Sequence, residues 1–252
     1  MFRTLLKKEL IAQLRTHRTL ITLAVFFVAG LISPLLAKYT PLLLELVPDM
    51  PAEFASLIPE PTINDAVGQY LKNVSQFGVI LVIVLNMGAV AVEKERGTAA
   101  MLLTKPVKPG MVILTKWLAG MVNLSVGLLL AAIGCAFYTT LLFEPFSLLN
   151  FLALNTLLLV FFGVYLSITL LASTLARTQA MAAALAFTGL ALLLLLGASP
   201  RVQELMPGKL LVWGSSLVLG IEASAWWSLI AGIGIMFACI VLASVSFNRE
   251  EI

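Results

Sequence analysis

Residues 92–110 read VEKERGTAAMLLTKPVKPG. Glu93, Lys94, Glu95, Arg96, Lys105 and Lys108 carry charge, and Gly97, Pro106 and Pro109 interrupt a helix. On either side stand two apolar runs of membrane-spanning length, Val74–Val92 and Trp117–Leu142. The island therefore marks a place where the chain leaves a bilayer, turns and goes back in. A soluble domain carries about a quarter charged residues. This chain of 252 residues carries 12%, with 60% apolar, and its mean hydropathy is +1.03. So little polar material cannot clothe a water-facing surface, and the bilayer is the solvent to assume.

Six runs approach the roughly 20 apolar residues that a spanning helix needs. They are Leu20–Ala37, Val74–Val92, Trp117–Leu142, Leu148–Leu175, Ala180–Ala198 and Ala225–Phe247. None alternates with the period of two that marks a barrel strand. The predicted class is an all-α polytopic membrane protein, one transmembrane domain over residues 1–252. A shorter run, Leu210–Ile221, cannot cross and reads as a re-entrant piece of an external stretch, 200–224. Cys135 and Cys239 fall inside predicted spans and read as small buried hydrophobes. A cleaved signal peptide is not expected, because the first run begins only at Leu20 and lacks a small-x-small site after it.

Loop cations set orientation. Arg3, Lys7, Lys8, Arg15, Arg18, Lys94, Arg96, Lys105, Lys108, Lys116, Arg177 and Arg249 fall on one side, and Lys38, Lys72, Arg201 and Lys209 on the other. Both termini and the 93–116 loop are thus predicted to be cytoplasmic, in the cell membrane. Residues 1–19 read as an interfacial helix, with Phe2, Leu5, Leu6 and Leu10 on one side and Lys7, Lys8, Arg15 and Arg18 on the other. Ile11 and Leu14 fall off its apolar side. The external loop, 38–73, holds five prolines. Pro51 could open a short helix there, and Thr62 with Asp65 resembles an N-terminal cap.

The predicted spans hold no interior charge, provided that Glu144 lies in the loop after the third. A charge at mid-bilayer is costly and marks ion or proton routes, so its absence argues against a proton-coupled pump. Asn86, Asn123, Asn155, Ser125, Ser167, Thr169 and Thr188 remain as interhelical hydrogen-bond partners, and Gly163–Ser167 and Gly127–Ala131 as close-approach pairs. His17 is the only histidine, too few for a zinc or bis-histidyl haem site. No phosphate-binding loop occurs; Gly110–Lys116 (GMVILTK) lacks its second glycine. No catalytic, metal or cofactor site is predicted, and no nucleic-acid partner. Energy must come from a partner or a gradient.

Within the island, Gly97 can take the left-handed conformation that stops a helix. Thr98 can cap a new one, Ala99–Thr104, which Pro106 ends and after which Pro109 restarts the chain into the third span. Glu93 and Glu95 oppose the dipole at the end of a span but favour the start of a following helix. A plain solvated loop needs none of this. A docking element for a cytosolic partner does.

The run Glu93-Lys94-Glu95-Arg96-Gly97-Thr98, then Leu102-Leu103 and Lys105-Pro106, resembles the signature of ABC-2-type transporter permeases. Thr115-Lys116 stands where that family usually has Gly-Lys. The resemblance extends to the basic N-terminal helix, the six spans, the outer loop and the partial re-entry before the sixth. It implies the permease subunit of an ATP-driven exporter, not an enzyme, paired with a second permease copy or homologue and with two cytosolic ABC ATPase subunits that hold ATP and magnesium. It further implies that Glu93, Lys94, Glu95, Arg96, Gly97, Thr98, Leu102, Leu103, Lys105 and Pro106 form the ATPase-docking segment. Lys7, Lys8, Arg15 and Arg18 would line the interfacial helix, and Arg177 would make a secondary contact. The uncharged spans suggest amphipathic or apolar cargo. Two rival readings stand beside this one: a non-transporting anchor or sensor for an ATPase, and a secondary transporter. The latter should show internal repeats or mid-depth polar groups, and neither is evident.

Overall fold

The computed structural model describes residues 2–45, 60–97, 109–143 and 146–249. The predicted helix Ala99–Thr104 with its cap Thr98, the residues Leu102, Leu103, Lys105 and Pro106, and the positions Pro51 and Glu144 all lie outside the described residues. Helix α1 is Phe2–Arg15 and α2 is Arg18–Glu45. Then come α3, Ile63–Asn86, and the short α4, Ala91–Glu95. Helices α5, Pro109–Leu142, α6, Leu148–Leu175, and α7, Gln179–Gly197, follow. A single 3-10 turn at Gln203–Leu205 leads into α8, Gly208–Leu219, and the described chain closes with α9, Trp226–Arg249. No strand occurs among the described residues.

Six helices are long and apolar enough to cross a membrane: α2, α3 with its continuation through α4, α5, α6, α7 and α9. The shorter apolar helix α8 is a seventh element. The chain is a multi-pass membrane protein. Helix α6 is the axle of the bundle. In its most apolar window 67% of the residues are buried, against 11% in α7 and 22% in α9. Phe151, Leu154, Leu158, Phe162 and Leu166 of α6 pack against Tyr70, Val74 and Ile83 of α3 and Leu124 and Leu128 of α5. Helices α2 and α5 touch backbone to backbone at Gly30, where an added Cβ would overlap Ala131.

Local chemistry explains the ends. Asp65 accepts from the Thr62 backbone N–H at 2.8 Å and from its hydroxyl at 2.9 Å, which fastens the start of α3. The Ser147 hydroxyl accepts from Asn150 N–H at the start of α6, and Thr178 from Met181 N–H at the start of α7. Gly220, at φ 68°, ends α8.

Three expectations need correction. Helix α2 runs on through Pro34 and Pro41, so Pro41 belongs to a helix and not to the outer loop. His17 takes a positive φ of 57°, which separates α1 from α2. Arg18 is consequently the first residue of the first spanning helix and not part of the interfacial one. The second spanning helix, read as running unbroken to Val92, is interrupted by a turn at Met87–Val90, although Ile63–Glu95 remains one candidate span.

The polar residues divide. Tyr70 donates to Asn155 at 2.6 Å, Asn123 to Thr22 at 3.1 Å and Trp117 to Ser167 at 2.8 Å, all between helices. Asn86, Ser125, Thr169 and Thr188 instead bond carbonyls one turn back in their own helices. Interhelical bonding was expected of most of the seven. A hydroxyl or amide facing a helix's own free lone pairs needs no neighbour.

Candidate functional site

At one end of the bundle the chain brings four segments together: α1, the turn Met87–Val90 with α4, the start of α5 and the end of α6. The turn exists because α6 receives the amides that it frees. Val90 N–H and Ala91 N–H both donate to the Ser173 hydroxyl, at 3.0 and 3.1 Å. The Val90 side chain is buried with Val112, Ile113, Leu170, Ala243 and Phe247, so an apolar floor lies beneath the charged segment.

On this floor stands a cluster of charges. Lys116 Nζ lies 2.8 Å from Glu93 Oε1 and 3.3 Å from Glu9 Oε1. Lys8 Nζ reaches Glu9 at 3.1 Å and Glu93 at 3.7 Å. Its core is secluded, with the Lys116 side chain only 6% exposed. Lys116 sits inside α5, which starts at Pro109, and its ammonium is neutralised by carboxylates from two other elements.

Burial alone would raise the carboxyl of Glu9, yet Lys116 and Lys8 outweigh it and hold Glu9 below the usual carboxylate range. Burial would likewise lower Lys8, yet Glu9 and Glu93 lift it above its ordinary value. Such a cluster joins α1, α4 and α5. Removing one member would leave an uncompensated, secluded charge, a change that costs about 3–5 kcal/mol for buried pairs.

The remaining docking candidates surround it. Lys94 donates through Nζ to the Thr174 carbonyl at the end of α6. Glu95 accepts from the Gln179 N–H at 3.4 Å, at the N-terminus of α7, where a negative charge suits the helix dipole. Arg96 is exposed, and Gly97 takes the left-handed conformation at φ 68°. Glu93 lies in the first turn of α4 and not at the end of the long second span, so the unfavourable dipole placement expected for it does not arise. Lys7 and Lys8 are exposed on α1, as is Arg15. Arg177 is exposed between α6 and α7. Sequence reasoning missed Glu9 and Ser173 and placed Lys116 in a loop. Glu9 was legible only as the single acid in a basic helix; Ser173 carried no signal, being one hydroxyl among many.

The chain belongs to the ABC-2 transporter family. The profile described as "ABC-2 family transporter protein" matches residues 3–252. As a family member the chain is a permease subunit of an ABC transporter, a transport subunit and not a catalyst, and partnership with an ABC ATPase goes with the family. It is also similar to the "Uncharacterized transmembrane protein YxlG" of Bacillus subtilis (strain 168), 27% identical over 183 residues, or 71% of this chain and 70% of that protein.

Toward the opposite end the permease has a cavity of about 800 Å³ among α3, α6, α7 and α8. Its wall includes Phe77, Ile80, Phe161, Leu193, Leu194 and Leu211. Phe77 and Ile80 are about half exposed, so the cavity opens at the flank of the bundle. Ser75, Gln76 and Tyr165 supply its polar side chains. The Tyr165 ring is 4% exposed, and no partner for its hydroxyl is found among the described residues.

Proposed function

We propose that this permease exports an amphipathic or apolar molecule across the cytoplasmic membrane, driven by two separate ABC ATPase subunits that carry the ATP and magnesium. Both termini face the cytoplasm, and a second permease copy or homologue completes the pathway. The segment Glu93–Gly97, continuing through Thr98, Leu102, Leu103, Lys105 and Pro106, docks the ATPase, with Lys7, Lys8 and Arg15 on α1 and Arg18 at the head of α2 beside it. Arg177 makes a secondary contact.

One observation carries the reading: the Glu9–Lys116–Glu93 cluster fastens the docking segment to both α1 and a membrane-spanning helix. A push on a freely hinged loop would be dissipated. A push on a segment fastened by ion pairs, with Val90 packed into an apolar floor, moves α1 and α5 together. That is the two-state mechanical element that coupling requires. At the far end, the apolar cavity lies within the roughly 300–1,000 Å³ usual for small-molecule sites. Its few polar groups suit a cargo with a small polar head on an apolar body.

The decisive experiment co-purifies permease and ATPase from detergent. Glu93→Ala with Glu95→Ala should leave the chain inserted and lower ATPase recovery; undiminished recovery would count against docking. ATP-driven substrate movement in vesicles separates a permease from a mere anchor. A reporter fused after Ile252 should report from the cytoplasm.

A further inference from the structure

Beside the charge cluster lies a second, smaller cavity of about 210 Å³, between α1, the head of α2 and the Met87–Val90 turn. It is too small for a drug-sized ligand, whose sites begin near roughly 300 Å³. Its wall includes Arg18, Arg96, Lys116, Glu9 and Glu93. Both carboxylates are engaged by Lys116 and Lys8. Arg18 and Arg96, by contrast, make no hydrogen bond or ion pair with any described residue. Arg18 is only partly exposed, so its guanidinium is partly desolvated, and Glu9 and Glu93 act on it through space without forming an ion pair.

A second observation is independent of charge. Gln13 also lines the cavity. It is 9% exposed, and its Oε1 is buried with no hydrogen-bond partner. Leaving such an atom unsatisfied costs about 1–3 kcal/mol. The wall thus offers two guanidinium groups without a hydrogen-bonded partner and an unsatisfied amide oxygen, that is, sites for an anion and for a hydroxyl donor.

Position selects the source. The cavity lies between the second half of α1, the start of α2 and the end of α3, where an amphipathic helix meets the ends of spanning ones, the depth expected of lipid headgroups. We propose that it binds the headgroup of an anionic phospholipid. The phosphate sits between Arg18 and Arg96, and a headgroup hydroxyl, such as the glycerol of phosphatidylglycerol, donates to Gln13 Oε1. The acyl chains remain in the bilayer. A bound headgroup would wedge α1 against the docking segment and make the hold of that segment depend on membrane composition.

Native mass spectrometry of the full-length protein in detergent tests this. The probes are the dioctanoyl forms of phosphatidylglycerol, phosphatidylethanolamine and phosphatidylcholine, with soluble glycerol phosphate. Phosphatidylglycerol should bind about tenfold more tightly than phosphatidylcholine, whose phosphate meets the same arginines but whose choline adds a positive charge and offers no hydroxyl to Gln13. Arg18→Gln with Arg96→Gln should abolish the preference, and Gln13→Leu should lower it while leaving the binding of phosphatidylcholine, which offers no headgroup hydroxyl, unchanged. Arg201→Gln with Lys209→Gln, among the opposite-side cations, should change nothing.

Equal binding of phosphatidylglycerol and phosphatidylcholine overturns the proposal, as does an equal loss in the Arg201/Lys209 variant. Glycerol phosphate binding as tightly as the lipid would make the ligand a soluble phosphate. A preference for phosphatidylethanolamine would give the site to Glu9 and Glu93. Should the double arginine variant fail to fold, Arg96→Gln alone must weaken phosphatidylglycerol binding, and an unchanged affinity rejects the site.

Discussion

The two ends of this permease solve opposite problems with opposite materials. At the end that holds α1 and α4, secluded charges and freed amides find partners, although Gln13 Oε1 does not: Glu9 and Glu93 meet Lys116, and the amides of Val90 and Ala91 meet Ser173. Around the large cavity, the walls are mostly apolar, and the Tyr165 hydroxyl finds no partner among the described residues. A network of ion pairs and hydrogen bonds fixes geometry, because each member is costly to displace. An apolar wall fixes little and tolerates varied contacts. The first suits transmission of force, the second reception of a greasy molecule.

The sharpest way to break this contrast is Lys116→Met. It should lower stability by about 3–5 kcal/mol, the penalty for stranding buried charge, seen as a lower unfolding temperature in detergent. Adding Glu93→Gln should recover part of the loss. If Lys116→Met is as mild as truncating Phe77 in the cavity wall, the cluster does not fix geometry.

Ser173→Ala comes next, at about 1–3 kcal/mol, because it strands two buried backbone donors. A pair of tyrosines sharpens the comparison. Tyr70→Phe removes a 2.6 Å hydrogen bond to Asn155 and should cost about 1 kcal/mol. Tyr165→Phe removes a hydroxyl without a partner; its stability should shift by less than about 0.5 kcal/mol, while transport of an amphipathic substrate falls. Equal destabilisation by the two would mean that Tyr165 is already satisfied.

Smallest is the response to pH. The stability that Glu9 contributes is present at neutral pH and is lost as pH falls through its folded-state value, which lies below its ordinary 4.5. The contribution of Lys8 is complete below its ordinary 10.5 and is lost as pH rises through its higher folded-state value. Unfolding temperatures of Glu9→Gln should therefore lack part of the acid-side decline.

Six spanning helices, a seventh short apolar one and an all-helical class were legible in the sequence, because a bilayer of fixed thickness imposes a length and a polarity on any helix that crosses it. Gly97 was legible for a similar reason, since a left-handed turn is a local backbone property of glycine. Pro41 misled, because proline in an apolar helix reads as a break although neighbours can satisfy the carbonyl it frees.

The family was legible in the 93–106 motif. The break at Met87–Val90 was not, because it depends on Ser173, more than eighty residues away in the chain and hydrogen-bond close only after folding. Lys116 read as a loop cation for the same reason: nothing local announces Glu9 from one helix and Glu93 from another. What the sequence determined by itself follows from single-residue and single-helix energetics, in which each residue meets only solvent, lipid and its own turn. The charge cluster, the two cavities and the placement of Arg18, Arg96 and Gln13 are properties of pairs of helices. Their energies depend on distances that only tertiary packing sets.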